Sequence, residues 1–225
     1  MTKLSTYKTQ LIAASLMSLA AVSSANAAIT FSANNFGGGD NVIFNGCSPT
    51  PVVGGPATLV SGCLQNSHPT VIDFYGAGEN LTIAGGQATL DAQDGFFTSG
   101  NIKLHDPSMA ISAIGFSVNS SEVNDNNGVM SFRVDYLDTL TSTTGSVNSG
   151  NFNLSDNGLN QFSIIADNGW LMTNVFFQDN ARNGIEDIRQ IRFQAADRPS
   201  QVPLPGSAAL LILGAAALRV MRRKD

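Results

Sequence analysis

Polar and apolar residues alternate along much of the middle of the chain, and a period of two marks strands with one face buried and the other in water. The clearest run is 129–137, where Met130, Phe132, Val134 and Tyr136 fall on one face and Ser131, Arg133 and Asp135 on the other. Residues 110–118 read similarly, with Ile114, Phe116 and Val118 together, and 171–178 place Leu171, Val175 and Phe177 on one side. Shorter strands are predicted at 70–75, 80–84, 87–91, 152–154 and 161–166. Clusters of Gly, Asn and Asp punctuate these runs at 37–40, 85–86, 94–95, 124–128, 156–158 and 167–169. These residues tolerate the left-handed backbone of tight connections. Asp167-Asn168-Gly169, set between two apolar runs, predicts a hairpin.

Many short strands at close intervals predict an all-β fold, an antiparallel β-sandwich of the jelly-roll kind with about eight strands. Two segments break the pattern. Residues 47–68 hold Pro49, Pro51, Pro56, Gly54 and Gly55, and read as an irregular surface loop. In 184–195, Ile185, Ile188 and Ile191 recur every three residues while Ile191 and Phe193 alternate, which reads as a turn followed by a last strand. No internal repeat of fixed period is present.

The two ends differ from this middle. Lys3 and Lys8 precede an uncharged apolar stretch, 11–22, and Ala25-Asn26-Ala27 follows. That order is a secretory signal peptide, residues 1–27, whose cleavage by signal peptidase between Ala27 and Ala28 leaves Ala28 first. The apolar stretch is shorter than the ~20 residues a membrane span needs. At the other end, Val202-Pro203-Leu204-Pro205-Gly206 leads into an apolar run, 207–218, and then into Arg219, Arg222, Arg223 and Lys224. The prolines favour an extended backbone that a protease can reach, and the basic cluster holds the tail's end on the cytoplasmic side. A plain C-terminal membrane anchor is the alternative reading of this segment.

The tail, 202–225, resembles the PEP-CTERM class of bacterial sorting signals in its VPLPA-type variant, with Gly206 where that variant usually has alanine. The resemblance covers about a tenth of the chain. It implies recognition of Val202, Pro203, Leu204 and Pro205 by an exosortase, a membrane cysteine protease of Gram-negative bacteria that make extracellular polysaccharide. It further implies an exported protein of the cell surface or extracellular matrix, tethered to the membrane by its tail until processing. The middle also resembles, loosely, the jelly-roll domains that accompany such tails.

Removing both ends leaves one domain, 28–201, of 174 residues. It carries six bases (Lys103, Arg133, Arg182, Arg189, Arg192 and Arg198) against sixteen acids, a net charge of −10. Such a module has no electrostatic case for nucleic acid or an anionic membrane. Its two cysteines, Cys47 and Cys63, enclose fifteen residues. In an oxidising compartment they predict a structural disulfide stapling the 47–63 loop.

Catalytic signals are weak. The histidines are His68 and His105, both beside proline-containing turns, and no G-x-S-x-G elbow exists. A glycosidase pair cannot be singled out among sixteen acids. The sequence therefore predicts no enzyme, no catalytic residue and no obligatory cofactor. Calcium is the one cation with candidate oxygen ligands, in Glu79, Asp91, Asp94, Asp125 and Asp187. The run 124–128 lacks the rest of an EF-hand. For sugar stacking the candidates are Trp170, Tyr75 and Tyr136, with core packing the competing role for Trp170 and Tyr136. The leading reading is a non-catalytic structural or adhesive surface protein, with extracellular polysaccharide as a candidate partner. The alternatives are a calcium-dependent carbohydrate-binding module and a hydrolase of surface polymers.

Overall fold

A computed structural model describes residues 29–199, apart from 35, 48–54, 68, 85–87, 97, 121–127, 156–158, 168 and 181–183. The signal-cleavage residues Ala25, Ala27 and Ala28 and the sorting motif Val202 to Pro205 lie outside this range, as do His68 and Asp125. All regular structure among the described residues is strand: β1 (Ile29–Ser32), β2 (Asp40–Ile43), β3 (Leu59–Leu64), β4 (Val71–Gly76), β5 (Leu81–Ala84), β6 (Thr89–Ala92), β7 (Ser99–Leu104), β8 (Met109–Ser120), β9 (Val129–Asp138), β10 (Thr143–Asn148), β11 (Phe152–Asn153), β12 (Asn160–Ala166), β13 (Trp170–Asp179) and β14 (Ile185–Asp197).

Pairing is antiparallel throughout, and the strands form two layers. Layer one runs β1-β12-β8-β14-β6-β5, and layer two runs β10 and β11 on β9, then β13-β7-β4-β3-β2. Two seams make the hydrogen bonding continuous: β2 pairs with both β3 and β14, and Met172 of β13 pairs with Ile111 of β8. The fold is thus the antiparallel sandwich of jelly-roll type that the alternation predicts, with more strands than the eight expected. The chain passes between layers repeatedly, as from β8 to β9 and from β12 through β13 to β14.

Alternation decides which side chains meet between the layers. Met130, Phe132 and Val134 of β9 face Ile114, Phe116 and Val118 of β8 in one buried cluster. Phe132 lies edge-on to Phe116 and Phe162, with ring centroids 5.7 and 5.2 Å apart, so aromatic contacts stitch layer two to layer one.

Four expectations need correction. The turn at 167–169 makes no hairpin: β12 pairs with β1 and β8, while β13 pairs with β9 and β7. The two flanking strands are apolar on faces that oppose each other across the core, so the turn carries the chain from one layer to the other. The segment 47–68 is not wholly irregular, because Leu59–Leu64 is a buried strand. Its prolines stop at Pro56, and Gly62 sits where a Cβ would come within 2.8 Å of Val42. In β13 a register shift between Met172 and Asn174 turns Met172 inward, leaving Leu171 half-buried. The run from Ile185 onward is one thirteen-residue strand with register shifts after Ile185 and Arg189. Each bulge inserts one residue, which converts a period of two into the observed spacing of three. Gln190, at φ 54°, marks the second bulge.

The predicted disulfide is formed: Cys47 and Cys63 are bonded, with Cα atoms 5.7 Å apart, and Cys63 is fully buried in β3.

Candidate functional site

Layer two leaves its outer face open where β9, β13, β7 and β4 lie side by side. Directly paired residues on neighbouring strands share a face, so the register writes this surface out in rows. The central row is Asn148, Arg133, Phe176, Asn101 and Tyr75, one residue from each of β10, β9, β13, β7 and β4. On one side of it lie Ser131, Gln178 and Ser99. On the other lie Asp135 with Asn174, and Lys103 with Asp73. The residues between them in sequence, such as Phe132, Phe177, Ile102 and Phe74, are buried.

The first two rows and the β10–β11 loop shape a concavity of about 510 Å³, lined by Asn101, Arg133, Asn148, Asn151, Phe176 and Gln178 among others. Its polar groups are carboxamides, hydroxyls and the Arg133 guanidinium, already partly organised. Asn101 Nδ2 donates to Asn174 Oδ1 at 3.0 Å, and Asn180 Nδ2 donates to Ser131 Oγ and Asn151 Oδ1 at 2.8 and 3.0 Å. The Arg133 guanidinium carbon lies 3.8 Å from the centroid of the Phe176 ring, and the Lys103 ammonium 4.8 Å from that of Tyr75. Such contacts are worth ~0.5–1 kcal/mol at exposed sites, enough to favour one position for a long side chain. No carboxylate lies among the described lining residues of the concavity.

At the end of β7 is His105, which the sequence placed in a turn. Its Nδ1 lies 3.0 Å from Asp73 Oδ2, and Asp73 Oδ1 accepts a 2.7 Å hydrogen bond from Ser61 Oγ. The serine therefore contacts the aspartate and not the imidazole. A nucleophile–base pair needs the reverse order.

The sequence candidates for sugar stacking separate. Tyr75 belongs to the open face, with Lys103 over its ring. Tyr136 and Trp170 stack on each other, centroids 4.1 Å apart and rings 12° from parallel, at the end of the sandwich away from the concavity. Arg133 and Gln178 were not singled out because each sits on the polar side of its strand, where solvent exposure is the ordinary explanation, and Asn101 because its strand, β7, was not among those predicted. Phe176 carried a readable signal: it is an aromatic residue on the polar side of an alternating run.

The acids gather elsewhere, on the outer face of layer one. Asp91, Asp187 and Asn119 are paired directly across β6, β14 and β8. Asp187 is 1% exposed; its Oδ2 accepts from Arg189 Nη2 and, at 3.4 Å, from Asn119 Nδ2, and its Oδ1 has no hydrogen-bond partner among the described residues. Burial pushes the Asp91 carboxyl up from its ordinary value, and the nearby Asp187 charge adds to the effect. Glu79 is likewise raised, by burial first and by Asp94 second. Among the described residues no group of three His, Cys, Asp or Glu side chains is arranged to hold a metal ion.

No family model matches the chain, and no curated protein matches it. Among solved structures it is similar to a family 29 carbohydrate-binding module from Piromyces equi, at 16% identity and a TM-score of 0.37, covering 75% of this chain and 91% of that one. It is similar also to a mutant family 29 module complexed with mannohexaose, at 17% identity and a TM-score of 0.37, covering 74% and 92%. Similarity this low leaves the functional argument to the chain's own residues.

Proposed function

We propose that this chain is an exported, non-catalytic module that holds a polysaccharide against the outer face of layer two. The observation that carries the reading is the open sheet face, where the amides of the central row stand beside two ring-held cations, Arg133 within that row and Lys103 in the next. Sugar hydroxyls both donate and accept, and carboxamides offer both in one plane. A concave site with few, convergent polar groups on a rigid sheet is the usual form of a small-ligand surface. Hydrolysis of a glycosidic bond calls for two carboxylates flanking it, and the described lining of the concavity provides none.

The setting belongs to the same proposal. Signal peptidase removes residues 1–27, and an exosortase-like protease recognises Val202 to Pro205 while the tail holds the protein at the membrane. The module then acts at the cell surface or in the surrounding polymer of a Gram-negative bacterium. The Cys47–Cys63 bond supports an oxidising compartment. Glycan contact through amides and hydroxyls is expected to be independent of calcium.

The test is affinity electrophoresis of the disulfide-bonded full chain through gels containing single polysaccharides. Retardation by at least one polymer is expected, unchanged by a chelator and weakened about tenfold by Asn101→Ala or Gln178→Ala through loss of amide hydrogen bonds. Passage through every gel at the mobility of an inert control would end the carbohydrate reading.

A further inference from the structure

The two cations of the open face are placed unlike ordinary surface cations. The domain has ten more acids than bases, so carboxylates are abundant, yet Lys103 has no carboxylate within 4.0 Å among the described residues. Asp73 is its direct cross-strand partner, but both Asp73 oxygens are committed, one to Ser61 and one to His105. Arg133 touches Asp135 only through Nε at 3.5 Å, with both side chains partly exposed, and its two terminal nitrogens have no protein partner among the described residues. Each cation is held over a ring instead, Arg133 on Phe176 and Lys103 on Tyr75.

This arrangement has two consequences. One face of each ring is occupied, so neither Phe176 nor Tyr75 is an unencumbered platform for a neutral pyranose. The cations keep unspent hydrogen-bond capacity, and Arg133 keeps the paired donors that match a carboxylate in bidentate fashion. They stand two strands and one register step apart, roughly 12 Å between Cα positions, with Asn101 between them. A single small anion does not span that separation, whereas a polymer carrying charge on successive units does. The chain's overall negative charge acts weakly against this, since fields beyond ~8 Å are screened at physiological salt.

We infer that the open face selects carboxylate-bearing polysaccharides, polymers of uronic acids, through Arg133 and Lys103. This rests on the glycan-binding reading above and adds the charge of the ligand. The test compares a panel of polyuronates of different linkage with their fully methyl-esterified forms, which keep the backbone and remove the charge, and with dextran sulfate. Binding to the full chain is measured by calorimetry at low and physiological salt. At least one polyuronate should bind about tenfold or more tightly than its methyl ester, and should lose affinity as salt rises. Arg133→Gln and Lys103→Gln, both at solvent-facing positions, should each remove most of that preference, bringing the polyuronate's affinity down toward that of its methyl ester measured on the same variant. Equal binding of acid and ester, or an unaltered preference in both variants, overturns the charge selection and leaves the glycan reading standing. Dextran sulfate binding as tightly as the best polyuronate overturns the carboxylate assignment. Binding of no polymer in the panel overturns the charge selection, and the glycan reading is then decided by the polysaccharide gels alone.

Discussion

Arg189 and Arg133 stand on opposite outer faces of the sandwich, each two residues from an aspartate on its own strand, and the same spacing has two outcomes. In layer one, Asp187 is buried and Arg189 closes on it directly. In layer two, Asp135 is about a third exposed, and Arg133 meets it only at 3.5 Å through Nε. The neighbouring strand makes the difference. Arg189 is paired with Thr89 and Ser117, which offer no ring, whereas Arg133 is paired with Phe176, which takes the guanidinium onto its face. A charge beside a buried carboxylate is spent on the fold, and a charge parked on an aromatic ring stays open to ligands.

The comparison can be broken or sharpened in four ways. The largest effect should not distinguish the faces at all. Replacing both Cys47 and Cys63 by serine removes a constraint on sixteen residues of chain, and should lower unfolding free energy by about 3 kcal/mol. Intrinsic and near-ultraviolet signals should still melt together, because one core serves both layers. Asp187→Ala should cost about 2 kcal/mol in urea unfolding, through a lost charge-assisted bond and a buried void. Asp135→Ala should cost under about 0.5 kcal/mol, as exposed pairs do. Equal costs would erase the distinction drawn here.

Phe176→Leu should cost about 1 kcal/mol and free Arg133 to approach Asp135. The coupling energy between those two, read from a double-mutant cycle, should then rise from near zero to about 0.5 kcal/mol. The smallest effect is pH-dependent. The Asp91 carboxyl is raised in the folded chain, so the folded state holds its proton more tightly than the unfolded state. Its penalty on stability is present above the raised value and disappears as pH falls through it. Asp91→Asn should therefore stabilise by about 0.5 kcal/mol at neutral pH, a solvent-screened figure. That gain should vanish once the pH drops below the ordinary carboxylate range.

Sequence made the long strands legible because their core-facing positions are apolar except at the strand ends, Ser120 and Asp179. Val129–Asp138, Met109–Ser120 and Trp170–Asp179 extend the predicted runs by one to three residues. It did not make Thr143–Asn148 legible, since that strand lies at a layer's edge and every residue is exposed or half-buried. Ser99–Leu104 escaped for a different reason: Gly100 fills an inward position, where a Cβ would come within 2.5 Å of Phe177, so the apolar period is interrupted. Of the open face, Tyr75 was recognised and Arg133 was assigned to the polar side of its strand. That Phe176 and Asn101 stand in line with them follows from cross-strand register. Register couples residues as far apart as Tyr75 and Phe176, and no local pattern encodes it.

The thirteen residues of β14 pair along almost the whole length of β8 and also with β6 and β2, so the last of the described strands is an interior strand of layer one. A chain emerging with its N-terminus first, from a ribosome or a translocation channel, has the thirteen other described strands outside before β14 arrives. Until Ile185 to Asp197 follow, β8 lacks one flank and the side chains of Ile114 and Phe116 lack their cover. The centre of layer one is thereby completed only once β14 is delivered, and a protein truncated before this strand lacks an interior strand of its sheet.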